Sequence, residues 1–206
     1  MLIEQPPRIY RLLFPGVLWR IPAPTGKPKS VYLTFDDGPI PEMTPWILET
    51  LDKYKIKATF FCVGENVQKY PDLYKMLSEK GHRVGNHTFN HVQGILNRSK
   101  NYIRNIAEAA KFIDSDLFRP PHGHMRIFQL LRLRKLFRII MWDVVTRDYS
   151  PYMTPNDILN NVKKYTRNGS IIVFHDSLKA AGRIEEALPK AIEWLQQEGY
   201  QFCFFD

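Results

Sequence analysis

The sequence predicts the α/β class, with about seven parallel strands curled into a small, irregular barrel. Three observations lead there. Apolar, strand-like runs alternate with stretches of helical period, which implies parallel pairing through crossover helices. Seven such strand units fit into 206 residues, with no internal repeat and a single proline-rich linker near the start. The uncommon polar residues Asp36, Asp37, His87, Arg119, Asp143 and His175 fall at the C-terminal ends of these strands, which converge on one face of a parallel barrel.

Residues 1–30 read as an N-terminal extension. Its run from Arg8 to Arg20 is basic and apolar and is broken by Pro15-Gly16. It is suited to packing across the barrel bottom, or to touching a membrane surface over residues 8–20 without spanning it. Ile21 to Ser30, with three prolines, links into the first strand, Val31–Asp36. Thr44-Pro45 starts a helix to about Tyr54, with threonine as cap and proline at the first helical position. Ala58–Val63 is the second strand, Asp72–Lys80 a helix closed by Gly81, and Arg83–Asn86 the third strand. Asn101–Ile113 carries apolar residues at helical period. Leu117–Arg119 is the fourth strand, Ile127–Leu136 a basic helix and Phe137–Trp142 the fifth strand. Thr154-Pro155-Asn156-Asp157 opens a helix with cap, proline and an acid at the third position. Ser170–Phe174, helix Ile184–Glu198 and Gln201–Phe205 complete the series.

Composition narrows the class. At 44% hydrophobic and 13% aromatic residues the chain is globular and long enough to bury a core. A formal charge of +8 favours anionic partners, although most charge excesses are solvated faces. The Leu131–Lys135 run alternates apolar and basic residues but matches no nucleic-acid-binding motif, so no nucleic acid partner is expected. Cys62 and Cys203 lie among phenylalanines and read as two buried thiols, not a disulfide framework. No signal peptide is evident and no run reaches the roughly 18 apolar residues of a membrane span, so the chain as written reads as cytoplasmic.

Thr34-Phe35-Asp36-Asp37-Gly38-Pro39 delivers two adjacent acids to the end of a buried strand. Asp-Gly is also a common turn pair, but buried carboxylates are costly unless paired or bound to metal. His87 and His91 follow a second strand-like run, and two histidines with a carboxylate form a metal-site inventory. Four residues apart, the histidines would converge from one helical turn or a tight loop.

Five segments then stand together: Thr34-Phe35-Asp36-Asp37-Gly38, His87-Thr88-Phe89-Asn90-His91, Arg119-Pro120-Pro121-His122-Gly123, Trp142-Asp143 with Asp148-Tyr149, and Val173-Phe174-His175-Asp176. In this order they resemble the five motifs of the polysaccharide deacetylases, the NodB homology family also called carbohydrate esterase family 4. The resemblance spans residues 31–206 and implies a distorted (β/α)-barrel catalytic domain. It implies that Asp37, His87 and His91 hold one divalent metal, usually zinc, with cobalt, nickel, iron and manganese accepting the same donors. Asp36 would be the general base, oriented by Arg119, and His175 the general acid, kept cationic by Asp148. The backbone N–H after Pro121 would help bind the oxyanion, with His122, Tyr149 and Val173 at the substrate. His122 stands where the family has an aromatic residue, Tyr149 where it has tryptophan, and Val173 where it has leucine; substrate preference turns on these three. Asp143 has no firm role, and His82 and His124 read as non-functional.

The implied activity is metal-dependent removal of acetyl groups, N-acetyl foremost, from an N-acetylglucosamine-containing glycan or glycoconjugate. The alternative is a non-catalytic glycan-binding module on the same fold. Binding alone needs neither a base nor an acid, which argues against it. Asp176 also has a bland reading, as the cap of a helix beginning at His175-Asp176.

Overall fold

The computed structural model describes residues 4–205. Its strands are β1 (Ser30–Asp36), β2 (Thr59–Cys62), β3 (Arg83–Asn86), β4 (Leu117–Phe118), β5 (Arg138–Ile139), β6 (Val144–Val145), β7 (Ser170–His175) and β8 (Gln201–Cys203). They form one sheet in the order β5-β4-β3-β2-β1-β7-β6, with β8 also on β1, and every pairing between them is parallel.

The two ends of that order are halves of one run, residues 138–145. Its first half pairs with β4 and its second with β7. The sheet therefore curls until a single stretch of chain joins its edges. Counted this way the barrel has the seven strands expected, and the fifth runs on past Trp142 to Val145.

β1 is the axis of the sheet. β7 pairs along it from Val31 to Asp36, while β8 and β2 share the other edge, at Ser30–Tyr32 and Thr34–Asp36. Side chains alternate along a strand. Val31, Leu33 and Phe35 of β1 and Ile172 and Phe174 of β7 join the outer core beneath the helices. Ile171 and Val173 of β7 and Phe61 of β2 join the inner core, with Tyr32 packed against it.

The extension covers edges left open by the run 138–145. Leu18 pairs with Ile140, Arg20 with Ser170, and the Val145 N–H donates to Glu4 O. Buried Asp143 ties the segment down, accepting from Arg11 (2.6 Å), Arg167 (2.7 Å) and Ser170 (2.8 Å). Ser170 begins β7, so Asp143 stands at the end of the barrel opposite His175, not at the strand ends where the sequence placed it.

The helices are α1 (Arg8–Leu12), α2 (Thr44–Lys53), α3 (Gly64–Lys69), α4 (Pro71–Glu79), α5 (Ser99–Ala109), α6 (Ile127–Leu133), α7 (Pro155–Tyr165) and α8 (Arg183–Gln197). Thr154 caps α7 in a reciprocal box with Asp157, as expected. Thr44 does not cap α2: it is the first helical residue, and its hydroxyl accepts from Ile40 N (2.7 Å) and donates to Asp176 (2.6 Å). Asp176 in turn caps nothing, since α8 starts at Arg183. The short α3 has no counterpart in the sequence pattern, because its six polar-rich residues show no apolar period. Cys62 is buried, whereas Cys203 in β8 is only half-buried, because β8 is short and pairs on one side. Among the described residues no helix is long and apolar enough to cross a membrane.

Candidate active site

Asp36 and His175 are register partners on adjacent parallel strands, so both side chains leave the same face at the same level. Asp36 is held from below. Arg119, fully buried, donates through Nη1 to Asp36 Oδ1 (2.6 Å) and Thr34 Oγ1 (2.8 Å). Its Nε and Nη2 donate to the carbonyls of Ile140 (3.2 Å) and Met141 (3.0 Å), and its guanidinium stacks 4.0 Å from the Phe61 ring. Those two carbonyls lie where the run 138–145 changes partners, so Arg119 also supplies donors that the sheet ladder does not.

Asp148 braces His175. Its Oδ1 accepts from His175 Nδ1 (2.7 Å) and Tyr149 N (3.1 Å), and its Oδ2 from His175 N (2.7 Å). Burial opposes a charge on the imidazole, but the adjoining carboxylate outweighs it and lifts the His175 pKa to about 9. Nε2 is left for the cavity. The Tyr149 ring stands nearly perpendicular to His175, centroids 4.7 Å apart.

Asp37 does not continue the strand. It takes a left-handed backbone (φ 84°), so the alternation that would have sent it to the opposite face ends at Asp36. His87 follows β3. Its Nδ1 hydrogen-bonds Arg119 O at 2.8 Å, which leaves Nε2 directed at Asp37, 3.7 Å from Oδ1. His91 Nε2 lies 3.2 Å from the same oxygen. The histidines converge from a loop, not a helical turn, and Thr88 and His91 both have positive φ. Thr88 N–H donates to Asn86 Oδ1, and Thr88 Oγ1 accepts from Val92 N. Such backbone strain persists where surrounding bonds over-determine it.

One donor atom each from Asp37, His87 and His91 falls within 4.8 Å of the others. The residues fit a divalent metal. The His87 Nδ1 contact fixes a ligating Nε2, as outer hydrogen bonds do at metal sites. Burial brings the His87 pKa down to about 4, keeping it neutral as a ligand must be. Burial works against charge on Asp37, yet the His91 hydrogen bond and nearby His175 hold its carboxyl well below the usual range.

A cavity of about 210 Å³ opens over these groups. Asp36, Asp37, His87, His91, His122, Tyr149, Val173 and His175 reach it. Arg119 and Asp148 lie behind it, and buried Pro121 is not among its lining residues. His122 (φ 58°) sets its ring against His91, centroids 4.8 Å apart. Trp142, Val145 and Lys179 complete the wall, beyond the site residues that the sequence predicts. Trp142 was visible in the fourth motif, whereas Lys179 sits in a loop after β7 with no local signal. His82 is a core residue: its Nδ1 accepts from Ala58 N at 3.2 Å.

A family model described as polysaccharide deacetylase matches residues 23–130. The chain is similar to a peptidoglycan-N-acetylglucosamine deacetylase of Bacillus cereus, 32% identical over 90% of this chain and 89% of the relative. It spans 66% of a longer relative of the same description in that organism and 38% of one from Listeria monocytogenes. Its fold is similar to a crystal structure of a peptidoglycan N-acetylglucosamine deacetylase holding an N-oxidanyl-benzamide, with TM-score 0.87 and 30% identity over 97% of this chain and 95% of that one. It is also similar to a pseudoenzyme of the same fold from Bacillus anthracis, with TM-score 0.77 and 27% identity over 91% of this chain and 66% of that one.

Proposed function

Because the chain belongs to the polysaccharide deacetylase family, we propose that it hydrolyses acetyl groups, N-acetyl foremost, from an N-acetylglucosamine-containing glycan or glycoconjugate. The observation that carries the reading is the register of Asp36 with His175 beside the Asp37–His87–His91 triad. Binding a sugar requires neither a carboxylate gripped by a buried arginine nor an imidazole held cationic.

Asp37, His87 and His91 would hold the metal, zinc best matching the donor set. When bound it supplies Lewis acidity toward the acetyl carbonyl. Asp36 takes the proton of the attacking water, with one oxygen fixed by Arg119 so that the group keeps its orientation. His175 Nε2 gives its proton to the departing nitrogen, and Asp148 stabilises the cation until then. The His122 backbone N–H is the candidate donor to the oxyanion. Val173, Val145 and Trp142 give the acetyl methyl an apolar wall, with Tyr149 and His122 beside the sugar. At about 210 Å³ the cavity is smaller than the roughly 300–1,000 Å³ of most ligand pockets, which favours a single sugar over a longer stretch of glycan.

Acetate release from acetylated chitooligosaccharides, with and without chelator, tests the reading. The metal-loaded chain should carry one divalent ion and lose it in Asp37→Ala. His175→Ala should lower kcat by roughly 10²–10⁴-fold on an N-acetyl substrate at unchanged metal content. O-acetyl substrates should suffer less, since an alkoxide leaves more readily than an amine anion. Glycan binding without acetate release in the metal-loaded protein would establish the binding-module alternative; the Bacillus anthracis neighbour is named a pseudoenzyme.

A further inference from the structure

The outer face of α6 is as apolar as its inner face. Leu130 and Leu133 are buried in the core, yet Ile127, Phe128 and Leu131 point outward, Phe128 with 76% of its surface exposed. A helix apolar on its exposed side as well as its core side is expected to have a partner. The patch is wider than the helix. Arg126 donates to Ile95 O and Gln129 to Gly94 O, which seats the loop 94–97 against the start of α6. That loop adds Ile95 and Leu96, the latter 74% exposed, and Leu136 extends the patch at the far end. α1 is tied to the same junction by Tyr10 Oη, which donates to Gly123 O at 3.1 Å, and it exposes Ile9, Leu12 and Leu13 at helical spacing.

The segments that carry this surface bear charge of one sign. Residues 117–142 contain six arginines and lysines and no acid, and residues 91–107 and 5–35 are likewise free of Asp and Glu. Arg98, Arg132, Arg134 and Lys135 are exposed and form no ion pair among the described residues. A second copy of the chain would bring like charges together, which opposes dimerisation through this face. A glycan would seek aromatic planes and amide or carboxylate partners, and five of the six apolar side chains on α6 and its loop are aliphatic.

We infer that this face docks on an anionic lipid bilayer surface, with the aliphatic side chains at the acyl boundary and the arginines and lysines at the head groups. The loop 94–97 begins three residues after His91 and α6 five residues after His122, so the patch begins within a few residues of two side chains of the cavity wall.

Co-sedimentation of the full chain with vesicles of phosphatidylcholine and phosphatidylglycerol, against phosphatidylcholine alone, tests this at physiological salt. The expected result is binding to the anionic vesicles only. Phe128→Ser with Leu131→Ser should weaken it about tenfold or more. Arg132→Gln and Lys135→Gln should each weaken it about fivefold. None of these side chains lines the cavity, so acetate release from soluble substrate and the circular dichroism spectrum should stay unchanged. Absence of binding to anionic vesicles, or equal binding by wild type and both sets of variants, overturns the inference. So does a dimer in light scattering that the serine variant dissolves.

Discussion

Replacing Asp148 with asparagine should move the alkaline limit of the reaction while leaving its acid side nearly intact. Asp148 accepts three hydrogen bonds, from His175 Nδ1, His175 N and Tyr149 N, and it is the main source of the raised imidazole pKa of about 9. Asparagine cannot accept all three, since its amide nitrogen meets an N–H in either orientation. With the charge gone, burial is the chief remaining influence, so the His175 pKa should fall to 6.5 or lower. A proton on His175 is present in ~90% of molecules at pH 8 when the pKa is about 9, and in ~3% when it is 6.5. With the variant pKa at 6.5 the loss in kcat/KM is therefore about 30-fold at pH 8 from protonation alone, but less than about twofold at pH 6, and a lower pKa deepens both. The assay is a pH–rate profile of kcat/KM on an N-acetyl substrate for both proteins at matched metal content, with the His175 ring followed by NMR titration. An alkaline limb that does not move in the variant would refute His175 as the proton donor to the leaving group.

Three further outcomes are expected. Arg119→Met should cost roughly 3–5 kcal/mol of stability in chemical denaturation, because it strands Asp36 and two carbonyls in the interior; a loss under 1 kcal/mol would mean that water replaces the guanidinium. Burial lifts the Asp176 pKa to about 8, and one carboxyl oxygen has no partner among the described residues. Its folded pKa lies above the unfolded value, so the stability it contributes is fully present below about pH 4 and is lost as pH rises through about 8. Asp176→Asn should flatten the fall in stability across that window, and parallel denaturation curves for variant and wild type would contradict this. A thiol reagent should label Cys203 well before Cys62, whose burial pushes its thiol pKa far up; equal rates would show that β2 opens as easily as the β8 edge.

The fold was legible because the strand runs around Val31, Phe60 and Ile171 are apolar on both faces and end in polar residues, a pattern that only a parallel sheet covered on both sides explains. The place of the candidate site was legible for a related reason: Asp36, His87, Arg119 and His175 stand at or just past strand ends, and the structure gathers them around or directly behind one cavity. What failed was local geometry. Asp36 and Asp37 look alike in sequence, yet one ends the ladder and the other turns into left-handed backbone. Thr44 has the sequence of a helix cap, but buried Asp176 across the outer layer claims its hydroxyl. Asp143 sits one residue beyond a strand-like run and was placed at the wrong end, because nothing local shows that the run continues to Val145. For Thr44 and Asp143 the contacts that decided the outcome, with Asp176 and with Arg11 and Arg167, come from far along the chain.

The single run that serves as both β5 and β6 leaves exposed-edge chemistry for another part of the chain to manage. Each half has one flank in the sheet, and on the other flanks Leu18 and Glu4 take up the backbone groups of Ile139, Met141 and Val145. Without residues 4–21 those flanks would offer open ladders beside Ile139, Ile140 and Val145, the kind of template on which a foreign strand adds. A chain shortened to begin at Ser30 should therefore aggregate, by fibril-like or domain-swapped assembly, even though every residue of the cavity wall is retained.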